Sequence, residues 1–228
     1  MKSDCKILSR ALLLAVLAVV TAFLVLFPLS LCRAQEAKNV AVILRAVKDC
    51  EIKKAGEQEW KAVKKGEILD SGDILRTGTR SSMSLVFQDD MSKLELKENS
   101  EIHIGGTRER QTFSKKLWLG IGDMWIDVEK REEQEFQVET PTAVISVIGS
   151  EALIAVAGNG FTSLDVEEGI FDFANDFGTV QVTKNESAFS DGKAEPVKSS
   201  KPLRTLRIMF KDKEGIQREI EIKYIEEE

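Results

Sequence analysis

Two pairs of carboxylates have a spacing that could do chemistry: Asp70 with Asp73, and the adjacent Asp89 and Asp90. Two carboxyl groups facing one glycosidic bond can act as acid and base in its hydrolysis. Both pairs sit in stretches that read as turns, where Asp accepts backbone N–H groups for structural reasons. Calcium at Asp70/Asp73 lacks the ligand spacing of a known loop. The single histidine, His103, alternates with Ile102 and Ile104, so it faces water if those two face a core. One histidine cannot build a histidine-based metal cluster, and one cysteine in the body of the chain removes the usual zinc spacings. That cysteine, Cys50, is a thiol between charged neighbours and is expected to be buried and inert. No Gly-x-Ser-x-Gly elbow and no Gly-rich phosphate loop followed by Lys-Ser/Thr is present. The sequence therefore reads as a non-enzyme without cofactor or metal. Trp118 and Trp125, flanking Gly120 and Gly122, are a possible stacking platform for a sugar ring, or lids on a core.

The elements that must position these residues are short and β-like. Residues 136–182 form a ladder of apolar runs at 144–147, 153–156, 164–166, 171–173 and 180–182. Asn159-Gly160, Glu168-Gly169 and Phe177-Gly178 separate them and are expected as turns, since glycine reaches the positive φ of a tight reversal. Upstream, 40–47 reads as the first strand of the body, and 51–60 as a hairpin returning to Trp60. Met83, Leu85 and Phe87 alternate with Ser82, Ser84 and Val86, and the same period of two recurs at Leu94/Leu96 and Ile102/Ile104. Residues 116–128 read as strand, Gly-rich kink, strand. Gly72, Gly122 and Gly169 recur at intervals of about 50 residues, a range that repeat architectures use. Residues 189–202 read as a linker, and 203–228 as a terminal hairpin. The expected fold is all-β: a single elongated β-roll, solenoid-like, or a sandwich of many short strands. An N-terminal hydrophobic helix precedes it and a C-terminal β-hairpin follows.

At 228 residues the chain suits one good-sized domain. A net charge of −6 argues against a nucleic-acid partner and gives no steering toward anionic lipid. Lys2, Lys6 and Arg10 precede an almost wholly apolar stretch at 11–31, with Cys32-Arg33-Ala34 after it. This is a secretory signal or an uncleaved membrane anchor, and both readings export everything after Gln35. Bulky Leu31 disfavours a lipoprotein site at Cys32. The expected divisions are 1–34 as signal or anchor, 40–190 as the all-β domain, and 203–228 as the hairpin extension. The expected location is periplasmic or extracytoplasmic.

The run Leu69-Asp70-Ser71-Gly72-Asp73-Ile74-Leu75-Arg76-Thr77-Gly78 is similar to the Gly-Asp-x-x-Arg-Thr-Gly signature of FecR-type periplasmic domains. Thr140-Pro141, Ala143, Gly149-Ser150 and Val166-Glu167-Glu168-Gly169 resemble the second half of the same family. The resemblance covers residues 42–189. Ile148 stands where the family usually has Arg, and Ser150 where it has Thr. The resemblance implies a domain that senses an outer-membrane transporter and signals to a cytoplasmic anti-sigma segment. About ten residues precede the apolar stretch here, too few to hold a sigma factor. The first expectation is thus an exported, non-catalytic β-module that binds a protein or cell-envelope polymer through a sheet edge or face. The alternative is the periplasmic part of a sigma-regulator type signalling system acting through a second protein. A carbohydrate-active enzyme using Asp70/Asp73 is the third reading. Trp118, Trp125, Arg76 and Asp73 make up the candidate binding surface.

Overall fold

A computed structural model of the chain describes residues 37–109, 112–129, 135–200, 204–211 and 217–224. The expected signal or anchor at 1–34 lies outside these residues. Among them every regular element is a strand, seventeen in all. The first eight are β1 (Ala41–Val47), β2 (Cys50–Lys53), β3 (Lys61–Ala62), β4 (Ile68–Leu69), β5 (Ile74–Thr77), β6 (Ser82–Phe87), β7 (Lys93–Leu96) and β8 (Glu101–Glu109). Then come β9 (Thr112–Val128), β10 (Phe136–Glu139), β11 (Val144–Val156), β12 (Thr162–Asn175), β13 (Gly178–Thr183), β14 (Ser187–Ser190) and β15 (Val197–Ser199). The last two, β16 (Arg204–Lys211) and β17 (Gln217–Tyr224), pair antiparallel as a separate hairpin.

β1 to β15 belong to one open hydrogen-bonded sheet. Its three long strands, β9, β11 and β12, change partners half-way along. The first half of β9 pairs with β8 and β10; its second half pairs with β7 and β11. The sheet therefore divides into two sets of strands. The first runs β3-β2-β5-β8, first half of β9, β10, first half of β11, second half of β12, β13. The second runs β4-β1-β6-β7, second half of β9, second half of β11, first half of β12, β14, β15. The apolar sides of both sets share one core. The rings of Phe87 on β6 and Phe136 on β10 meet edge to face across it, 5.9 Å between centroids. All pairings are antiparallel except β9 with β10. A stack of parallel coils would show the reverse balance, so the arrangement is two strand layers and not a solenoid.

Glycine makes the crossing between layers possible. On β9 the buried apolar residues are Leu117 and Leu119 before Gly122, then Met124, Ile126 and Val128 after it. On β12 the buried apolar residues are Leu164 and Val166, then Phe171 and Phe173 beyond Gly169. The parity flips at a residue of positive φ, +97° at Gly122 and +96° at Gly169. A Cβ on Gly169 would overlap the Gly149 carbonyl, and one on Gly122 would overlap Ser100. The flip keeps the apolar side pointing inward as the strand turns from one layer into the other.

Two expectations are corrected here. Glu168-Gly169 is not a turn but the bend of one continuous 14-residue strand, and 144–156 is likewise a single strand. The stretch expected as a linker at 189–202 contains β15. The expected C-terminal hairpin is present as β16 and β17.

Candidate functional site

Asp73 sits in the turn from β4 to β5 with its side chain 1% exposed. Its carboxylate accepts Ala55 N at 3.0 Å, Asp70 N at 2.9 Å and Lys54 Nζ at 2.7 Å. It ties that turn to the β2–β3 loop and presents no working oxygen to a substrate. Asp70 accepts Asn39 N at 2.7 Å. Asp89 and Asp90 both bind Lys115 Nζ, each at 2.7 Å. Lys115 is 1% exposed and lies near the rings of Phe87 and Phe136, 5.2 and 5.8 Å from their centroids. Each carboxylate pair is thus engaged in holding the fold.

The other motif residues have similar employment. Thr77 Oγ1 donates to Lys97 O at 2.5 Å and accepts Ser100 N at 3.0 Å, fastening the end of β5 to the β7–β8 turn. Around Thr140-Pro141-Thr142 the hydroxyls form a relay. Thr142 Oγ1 donates to Thr162 Oγ1 at 2.8 Å, Thr162 to Thr140 Oγ1 at 2.9 Å, and Thr140 to Ala143 O at 2.9 Å. Ser190 Oγ closes it by donating to Thr142 O at 3.0 Å. An open cavity of about 290 Å³ lies beside this relay, bordered by Thr142, Asn175 and Gly192. Cys50 is buried, its thiol donating to Val47 O at 3.4 Å and Ser82 O at 3.3 Å. Burial pushes the thiol up from its ordinary range.

What faces outward is different. The register aligns Lys53, Ile74, His103, Trp118 and Glu139 across β2, β5, β8, β9 and β10. Cross-strand partners share a face, and the flanking residues Ile102, Ile104, Leu117 and Leu119 point into the core. His103 is 43% exposed, with Nε2 3.5 Å from Glu101 Oε1. One row along, Arg76 stands opposite Glu51 and pairs with it at 2.6 Å. The Arg76 guanidinium lies 3.9 Å from the Trp60 ring centroid, and Lys53 Nζ lies 4.9 Å from it. Next to Trp118, Lys116 binds Glu139 at 2.7 Å, and that bond holds the ammonium above its ordinary range.

The structure therefore brings Arg76 and Trp118 onto one outer face and adds Trp60, Lys53 and His103 to it. Trp125 lies on the outer side of the second layer, between Glu95 and Leu153, so the two indoles do not share a platform. Asp73 is beneath the surface. Trp60 precedes a two-residue strand, and its partners lie 7 and 16 positions away, so no local pattern marks it.

Residues 73–170 match the sequence profile of the family described as FecR protein. No curated protein matches the chain. Two solved structures of a candidate anti-sigma factor from Parabacteroides distasonis ATCC 8503, at 1.65 and 2.50 Å resolution, resemble it at 14% identity. Their TM-scores are 0.48 and 0.49, and the likeness covers 57% of this chain and 60% of theirs.

Proposed function

We propose that the chain is the extracytoplasmic, non-catalytic part of a sigma-regulator type signalling system, acting through a second protein. The observation that carries the reading is the match of residues 73–170 to the FecR family. The employment of its motif residues supports it. Asp73, Thr77, Thr140 and Thr142 brace turns, and Arg76 alone among the named motif residues stacks on an indole at the surface. A partner protein docks on the outer face of the first layer, over Trp60, Arg76, His103 and Trp118. Rigid aromatic and arginine side chains are the usual anchors of such contacts.

A photo-crosslinking residue at Trp118 in the full chain, expressed in its own cell, should yield one dominant protein adduct. The same residue at Trp125 should not. Arg76→Ala should weaken the adduct with little change in stability, because the Arg76–Glu51 pair is solvent-exposed. Equal labelling from both indoles, or retention on peptidoglycan with no protein adduct, would count against the reading.

A further inference from the structure

The lateral edges of the two layers differ greatly in length. The first layer is bounded by β3, two residues, and by β13, six. The second is bounded by β4, two residues, and β15, three. A long strand edge is a template for another strand, and short edges are not. β13 is also the edge with the most receptive sequence. Residues 179–183 read Thr-Val-Gln-Val-Thr, uncharged, rich in β-branched side chains and palindromic about Gln181.

Asn175 and Gly178 face each other across a two-residue turn. The antiparallel alternation from that pair points the backbone groups of Thr179, Gln181 and Thr183 away from β12. At that outward side stands a charge clasp. Lys198 Nζ donates to Gln181 O at 2.9 Å. Glu186 Oε2 accepts Thr183 N and Thr183 Oγ1, each at 2.8 Å. The two side chains bind each other at 2.7 Å, and Glu186 N donates to Thr183 O at 2.9 Å.

We infer that β13 is a self-complementary strand edge held shut by Lys198 and Glu186, and that opening the clasp lets a second copy of this chain pair with it. Antiparallel pairing about a two-fold axis at Gln181 sets Gln181 opposite Gln181 and Thr179 opposite Thr183. Val180 and Val182 keep their places toward the two cores. The palindrome makes the second copy the matching occupant, because every pair across the axis is a like pair of uncharged residues.

The test is co-purification of two differently tagged full-length copies from the same cells. Lys198→Ala should raise co-purification at least ten-fold over the unaltered chain, and adding Glu186→Ala should raise it further. Gln181→Pro removes an outward N–H and no bond of the β12 ladder, so it is tolerated at this edge. In the Lys198→Ala background it should return co-purification to the starting level while the circular-dichroism spectrum stays unchanged. Equal association with and without Lys198 overturns the clasp. Association that survives Gln181→Pro overturns β13 as its place.

Discussion

The two layers are fastened near opposite ends of β10, and by different chemistry. At the Phe136 end, Lys115 reaches from the first layer to Asp89 and Asp90 in the turn after β6. At the Glu139 end, Thr140 and Thr142 bind Thr162 and Ser190 of the second layer through neutral hydroxyls. In the charged fastening one ammonium reaches two buried carboxylates, and the Ser92 N–H that Asp90 also accepts at 3.0 Å carries no full charge to replace it. The hydroxyl fastening is redundant. If Thr162 is lost, Thr142 can turn to Gly160 O at 2.8 Å, and Thr140 keeps Ala143 N at 3.0 Å. The difference predicts that a buried polar cluster is fragile according to how few groups carry its charge, more than how many bonds it makes.

The largest expected effect is therefore at Lys115. Lys115→Met should destabilise the chain by about 3–5 kcal/mol, because it takes the Lys115 ammonium away from two buried carboxylates. Adding Asp89→Asn and Asp90→Asn should recover part of that loss in urea unfolding. Failure of the triple variant to recover anything would mean that packing, not charge, is what Lys115 supplies. Thr162→Val, by contrast, should cost about 1 kcal/mol. A loss as large as that of Lys115→Met would erase the distinction between the two ends.

The smallest effect concerns an exposed group. The Lys198 ammonium, with the Thr183 N–H and hydroxyl, holds Glu186 down from 4.5 to about 2. A carboxyl depressed in the folded state stabilises above its unfolded pKa and loses that contribution as pH falls through the folded one. The stability difference between the unaltered chain and Glu186→Gln should thus be constant above about pH 4.5 and fade toward pH 2. A difference that persisted below pH 2 would show that the clasp works by shape alone.

The all-β class and most strand positions were legible because period-two burial survives in the sequence: Met83, Leu85 and Phe87 announce β6 without help. What was not legible is continuity. Alternation broke at Gly149 and Gly169, and a broken alternation reads as the end of a strand. Its true cause is a bend that reverses parity while the hydrogen bonds continue. The braces were hidden for another reason. Asp73 reaches Lys54 and Lys115 reaches Asp89 across 19 and 26 positions, distances at which spacing carries no signal. Ile148 lies beside the Gly149 bend at 37% exposure.

The three bent strands have one further consequence. Since β9, β11 and β12 each pass unbroken from one layer into the other, no seam exists along which the halves could part. Stripping either sheet tears strands that belong equally to its neighbour. Denaturation of residues 41–199 should then be a single concerted event, with the two layers melting at one temperature.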